Sequence, residues 1–398
     1  MTALRYPVTE PHLDASDREH LLDAFDSGWI SSQGPYLEKF ERGFAEFAGT
    51  SHALATCNGT VALHLALMAL EVGPGDEVIV PTFTYIASAN AIRYCGATPV
   101  FVDCSPDTWN LDPDAVAAAI SPRTVGILPV HLYGMPCDMI ALRQIATRHG
   151  LWIVEDAAEA HGATIQDQTV GSFGTIASFS LFGNKIITTG EGGVVTSNDA
   201  RLVERMTLLR GQGMDPAHRY WFPIVGYNYR MTNLAAALGV SQLAKALTLV
   251  AAHRQVHAWY REALSDDDLL AWQGERPETV SVQWLTSVRL RSAENRPALR
   301  DELMRMLRAD GIDTRPFFYP MHMMPPYASN ARFPVADAIS TSGLNLPSSP
   351  RLTADDVRLI ASRVRTHVHT LVSGDVFSGV QWATPRTVPV VTTVDSAA

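Results

Sequence analysis

Only three of the 31 basic residues are lysines, Lys39, Lys185 and Lys245. Lys39, in Leu37-Glu38-Lys39-Phe40, and Lys245, in an alanine-rich helical stretch, read as exposed helical side chains. Lys185 reads differently. It lies within Ser178-Phe179-Ser180-Leu181-Phe182-Gly183-Asn184-Lys185-Ile186-Ile187-Thr188-Thr189-Gly190-Glu191-Gly192-Gly193, among apolar, hydroxyl and glycine positions. The acids that would pair a surface lysine are missing from its immediate flanks. Apolar surroundings lower an ammonium pKa from about 10.4 towards neutrality, which a lysine that attacks a carbonyl requires. Schiff-base chemistry is the natural use. Asp156 gives the second clue: Trp152-Ile153-Val154-Glu155-Asp156 places a carboxylate at the carboxyl end of a short apolar run, where α/β sheets receive ligands. Alone, such an aspartate is as readily a helix N-cap. The small residues of Ala157-Ala158-Glu159-Ala160-His161-Gly162 favour close approach of a ligand instead. A Schiff-base lysine and a carboxylate for a pyridine nitrogen are what pyridoxal 5'-phosphate (PLP) asks of a protein.

That cofactor carries a phosphate. Asn58-Gly59-Thr60, between a strand and a helix beginning near Val61, supplies backbone N–H groups at a helix N-terminus. Ser180, five residues before Lys185, offers a hydroxyl to the same phosphate, and Tyr85 a ring to stack on the pyridine. Each of these has an ordinary structural reading, as turn, strand serine or core aromatic. Together they satisfy aldehyde, ring nitrogen, phosphate and one ring face of a single molecule. No G-x-x-x-x-G-K-[ST] loop, complete dinucleotide fingerprint or G-x-S-x-G elbow competes with them.

The elements that must hold these residues follow a βαβ rhythm. Strands are expected at His52–Thr56, Glu77–Val80, Pro99–Val102, Val125–Val130 and Trp152–Glu155, with helical periodicity over 60–70, 85–95, 113–119 and 138–149. Near-continuous apolar strands imply a parallel sheet covered on both faces. Upstream, Ser16-Asp17-Arg18-Glu19 reads as a capping box, and Tyr36 to Phe47 as a second helix. A long helix is expected from Thr232 to about Leu264, then a strand near Val280–Leu290, a helix at 297–309 and a final helix after Leu352. The expected organisation is an arm (1–15), a large cofactor-binding domain (16–245), a smaller α+β domain (246–372) and a tail from 373 to 398.

Composition narrows the function classes. The chain has 398 residues, 46% hydrophobic and 18% charged, with a net charge of −10, which excludes a small disulfide scaffold, a disordered chain and a basic nucleic-acid surface. Cys57, Cys95, Cys104 and Cys137 form no Cys-x-x-Cys pair, and no histidine spacing suits a metal, so none is expected. Neither an export signal nor a membrane span is read, and a cytoplasmic setting is expected.

With these residues in place, the sequence resembles the DegT/StrS-type nucleotide-sugar aminotransferases over about residues 5 to 370. The resemblance rests on Glu155 to Ala160 and Lys185 to Gly193, and on Gly226-Tyr227-Asn228-Tyr229-Arg230-Met231-Thr232-Asn233. It rests also on Trp29-Ile30-Ser31-Ser32-Gln33-Gly34, Pro129-Val130-His131-Leu132-Tyr133-Gly134, Arg219-Tyr220-Trp221 and Thr314-Arg315-Pro316-Phe317-Phe318-Tyr319-Pro320. It implies PLP fold type I, the aspartate-aminotransferase fold, and a transaminase using L-glutamate on a nucleotide-linked keto sugar, foremost GDP-4-keto-6-deoxymannose at C4. A GDP-linked 3-keto or longer keto sugar, a dTDP- or UDP-linked 4-ketosugar, and a catalytically silent regulator or scaffold on this fold stay open as alternatives. The resemblance further implies a homodimer with shared active sites, Asn228 reaching the neighbouring subunit's PLP phosphate, and Glu159 near the ring oxygen. It places Arg230, Phe317, Tyr319 and His322 near the nucleotide sugar. Related sugar 3-dehydratases carry histidine where Lys185 stands, so the lysine favours amination.

Overall fold

The computed structural model describes residues 4–294, 296 and 298–373; of the expected tail, 374–398 lies outside the described residues. Helices α1 (Ala15–Asp26) and α2 (Pro35–Ala48) lead into an alternating run: β1 (His52–Thr56), α3 (Gly59–Ala69), β2 (Glu77–Pro81), α4 (Ala87–Tyr94), β3 (Thr98–Val102), α5 (Pro113–Ala119), β4 (Thr124–Ile127), α6 (Met139–His149) and β5 (Trp152–Asp156). The short strands β6 (Thr164–Ile165) and β7 (Gln168–Thr169) precede β8 (Ile176–Ser180), β9 (Gly193–Ser197) and α7 (Ala200–Arg210). Then come α8 (Asn233–Ala244), α9 (Ala246–Ala263), β10 (Leu270–Trp272), β11 (Thr279–Val280), β12 (Thr286–Leu290), α10 (Ala298–Ala309), β13 (Arg315–Pro316), α11 (Pro334–Ser342), β14 (Gly343–Leu346) and α12 (Ala354–Ser373).

Seven strands form the central sheet in the order β1-β9-β8-β5-β4-β2-β3. Only β9 runs against its neighbours. The fold is therefore the α/β class expected, a large, mostly parallel sheet flanked by helices; its inner strands are buried because helices cover both faces, while the edge strand β3 is partly exposed. All five residues of β2 are buried, including Glu77. Parallel strands put the carboxyl ends of β1, β5 and β8 on one edge, which gathers Asn58, Asp156 and Ser180. A second, antiparallel sheet, β10-β12-β14-β13, packs with α9, α10 and α12 around Tyr260, Leu303, Val288 and Val364. Strand β11 leaves this part of the chain to pair with β6, carrying the following segment to the large sheet.

Two local expectations are corrected. The capping box sits two residues early: Asp14 is the N-cap of α1, accepting from the amides of Ser16 and Asp17 while the Asp17 carboxylate accepts from the Asp14 amide. A carboxylate at each end closes the box as well as Ser and Glu would. The long helix is broken at Lys245, where α8 and α9 meet at 62°. Lys245 is accordingly no exposed helical side chain. Its ammonium pairs with Asp14 at 2.7 Å and with the buried Asp17, pinning the arm to the bend. Lys39 is exposed, as expected. The arm is stitched to both sheets' surroundings. Arg5 and Tyr6 donate backbone N–H groups to Gly311 O, Ser348 N–H donates to Val8 O, and Gln242 Nε2–H donates to His12 O. Among the described residues no single helix is long and apolar enough to cross a membrane.

Three largely buried histidines contribute to the acid sensitivity of this fold. Burial pushes His161 down to about 3, and His253 and His257 down to about 4. These folded-state values lie below the unfolded value of about 6.5. The stability contributed by the neutral rings is therefore complete above that pH and is lost as the pH falls towards 4 and 3. The denaturation midpoint is expected to decline steeply between pH 6.5 and 4, and His253→Gln to make that decline shallower.

Candidate active site

A cleft of about 660 Å³ opens at the carboxyl edge of the large sheet. The turn between β1 and α3 forms one wall, Asp156 and Glu159 the floor, the Ser180–Lys185 segment a side, and Trp284, Arg315, Phe318 and Asn345 the wall opposite. Lys185 follows β8 in a turn fixed by its amide donating to Phe182 O at 2.9 Å. Its Nζ lies 3.7 Å from Glu159 Oε1 and 3.8 Å from the centroid of the Trp284 ring. Burial lowers the amine's pKa; Glu159 and Asp156 oppose this, and Arg315 adds to it.

Asp156 ends β5, and both its oxygens are occupied. Ser88 Oγ–H donates to Oδ2 at 2.7 Å, and the Ala158 amide donates to Oδ1 at 3.2 Å. Burial raises its pKa, while the Ser88 bond, the Ala158 amide and the Lys185 charge hold it down. A cation brought beside this carboxylate, such as a pyridinium N–H, restores its ionised form. Ser88→Ala is expected to lower turnover about tenfold by freeing the carboxylate's orientation, with the cofactor's absorbance spectrum as the check that binding survives.

Glu159 is buried and its pKa is raised by burial, opposed by Lys185. Its Oε2 accepts from the Tyr133 amide at 2.7 Å. That amide is aimed by an uncommon backbone, since Tyr133 has φ 55° in the left-handed region that bulky residues rarely occupy. Beneath, Glu155 accepts from the amides of Gly171, Phe173 and Gly174 and from His131 Nε2–H. The Cys137 amide donates to His131 Nδ1 at 3.0 Å, which assigns the ring's proton to Nε2. These bonds fix the chain on both sides of Asp156.

The first turn of α3 fits a phosphate. Asn58 caps Val61 N–H with its side chain and Ala62 N–H with its carbonyl, leaving the amides of Gly59 and Thr60 as the turn's remaining donors. A Cβ on Gly59 would stand 2.8 Å from Ser180 Cβ, so only glycine lets this turn meet β8. Thr84 Oγ1 and Asn184 Oδ1 line the same cleft, buried and without partners among the described residues. Such a site suits a flat, phosphorylated ligand with polar ring substituents.

Lys185, Asp156, Gly59, Thr60, Tyr85, Glu159 and Ser180 are thus brought together. Five other expected residues do not line this chain's cleft. Phe317 is a core residue against Trp109, Tyr133 and Phe83, while its neighbour Phe318 takes the cleft position. His322 is buried between Thr82 Oγ1 at 2.9 Å and Asp337 Oδ1 at 3.1 Å. Arg230 donates Nε–H to Ser32 Oγ at 3.1 Å. Asn228 and Tyr319 are exposed. Sequence reasoning missed Ser88, Trp284, Arg315 and Asn345. Arg315 lies inside the Thr314–Pro320 segment, whose sequence does not tell a cleft arginine from a surface one, whereas Ser88 and Asn345 carry no sequence signal.

Fold and site together define a PLP-dependent enzyme of the aminotransferase class. The chain belongs to the DegT/DnrJ/EryC1/StrS aminotransferase family, whose pattern spans residues 11–365. It is 51% identical to the GDP-perosamine synthase of Caulobacter vibrioides over 90% of this chain and 97% of that protein. Identity to the GDP-perosamine synthase of Vibrio cholerae is 43%, over 92% of this chain and all of that one. Among solved structures, S. venezuelae DesV in complex with a ketimine intermediate superposes with a TM-score of 0.84 at 38% identity, covering 91% and 99% of the two chains.

Proposed function

We propose that this protein transfers the amino group of L-glutamate to C4 of GDP-4-keto-6-deoxymannose, yielding GDP-perosamine. The observation that carries the transamination is the buried Lys185 amine sharing one cleft with the doubly anchored Asp156 carboxylate. The choice of sugar is supported by the 51% identity to the Caulobacter vibrioides enzyme.

When bound, PLP supplies an aldehyde that captures amines and a pyridinium ring that takes up the electron pair left when a proton leaves the donor's Cα. Lys185 Nζ, favoured as a free base by burial, removes that proton and later delivers one to the sugar carbon. Asp156 holds the ring-nitrogen proton, Ser88 holds Asp156, and the α3 amides with Ser180 hold the phosphate. Glu159 keeps the lysine amine in the cleft.

The catalytic unit is proposed to be a homodimer. Tyr220, Trp221, Phe222 and Val225 are 71%, 65%, 52% and 87% exposed beside Asn228, an apolar surface of the kind a partner covers. Asn228 then serves the partner's phosphate rather than its own. A cytoplasmic setting accords with four free cysteines. The experiment is a panel of GDP-, dTDP- and UDP-linked ketosugars assayed with glutamate, products identified by mass and the enzyme's mass measured by light scattering. Preferential amination of a dTDP- or UDP-sugar overturns the substrate, and full activity in a monomer overturns the shared site.

A further inference from the structure

Lys185 is largely withdrawn from water, its side chain 11% exposed, and has gained little in exchange. Its nearest carboxylate oxygen is 3.7 Å away, beyond hydrogen-bond length. The other close neighbour of Nζ is the face of Trp284, at 3.8 Å from the centroid. This indole is 3% exposed, and its Nε1–H donates to Asn184 O at 2.7 Å, the carbonyl of the peptide that joins Asn184 to Lys185. One side chain therefore grips the lysine's backbone with its edge and meets the lysine's amine with its face.

The segment that delivers Trp284 also braces Glu159. Ser281 Oγ–H and Val282 N–H both donate to Gly134 O. Gly134 adjoins Tyr133, whose amide holds Glu159 Oε2. Carboxylate and indole thus approach the amine as two jaws joined at Gly134. The quadrupole of an indole face attracts a cation and is indifferent to a neutral amine, most strongly where water is excluded.

We propose that Trp284 is a positioning residue for Lys185, its face favouring the ammonium that forms once the freed amine has taken the donor's proton. In the catalytic cycle this keeps the proton taken from the donor on Nζ, ready for delivery, instead of losing it to solvent. The inference rests on the reading of Lys185 as the reacting amine.

The test is trace acetylation of Lys185 as a function of pH in full-length holoenzyme, after glutamate has released the lysine and been removed by gel filtration, with the peptide quantified by mass. Trp284→Leu is expected to move the labelling midpoint down by about one pH unit, tenfold in the protonation equilibrium. Trp284→Phe, which keeps a ring face, should move it by less. A merely packing role lowers stability in both variants without moving the midpoint. A midpoint in Trp284→Leu that stays or rises overturns the inference; if that variant fails to fold, an unmoved midpoint in Trp284→Phe does so. Wild-type Lys185 that labels equally before and after glutamate would instead count against Lys185 as the cofactor-bearing residue, so the two failures are distinguishable.

Discussion

Lys185→Ala is expected to fold, bind cofactor and turn over at least about 10⁴-fold more slowly than the parent. The size of the loss follows from what else the cleft contains. No other lysine lines it. Arg315 offers a guanidinium, which has donors only and no free amine, and His322 is engaged with Thr82 and Asp337 outside the lining. Among the described residues, no other amine lines the cleft to capture the cofactor's aldehyde. Lys185→Arg should be equally inactive although it preserves the charge facing Glu159, which separates chemistry from electrostatics. Borohydride treatment of the resting wild-type enzyme, followed by peptide mapping, should mark Lys185 alone. Substantial activity in purified Lys185→Ala protein would falsify the mechanism.

Asp156→Asn is the second large effect, about 10³-fold in kcat. The substitution is nearly isosteric: the asparagine oxygen can accept from the Ala158 amide and the Ser88 hydroxyl can turn to accept from the new NH2, so the main loss is the negative charge facing the ring nitrogen. The pH dependence supplies an independent check. Burial raises the Asp156 pKa and Ser88 restrains it, so the ionised form is lost as the pH falls. The wild-type acid limb should contain this ionisation, and the Asn variant's acid limb should lack it. Cofactor spectra across the same pH range report whether binding or chemistry is affected.

The parts of the site that were legible in the sequence are those in which residue type and position speak together. Lys185 stood out because this chain has almost no lysines, and Asp156 because it ends an apolar strand. Gly59 was legible because a helix N-terminus needs donors and room. Strands β1 to β5 were readable from their unbroken apolar runs. What failed has physical causes. Phe317 and Phe318 are identical in type and adjacent in sequence, so only the folded chain decides which turns inward. Lys245 looked like a solvated helix residue because its partners, Asp14 and Asp17, are more than two hundred positions away. Ser88 and Trp284 act through contacts across the fold, which carry no local periodicity.

The arm that touches Gly311, Ser348, Gln242 and Lys245 in succession joins regions built around separate hydrophobic clusters. Its integrity thereby sets the cooperativity of unfolding: a single calorimetric peak for the intact chain, resolving into two after clipping ahead of Asp17.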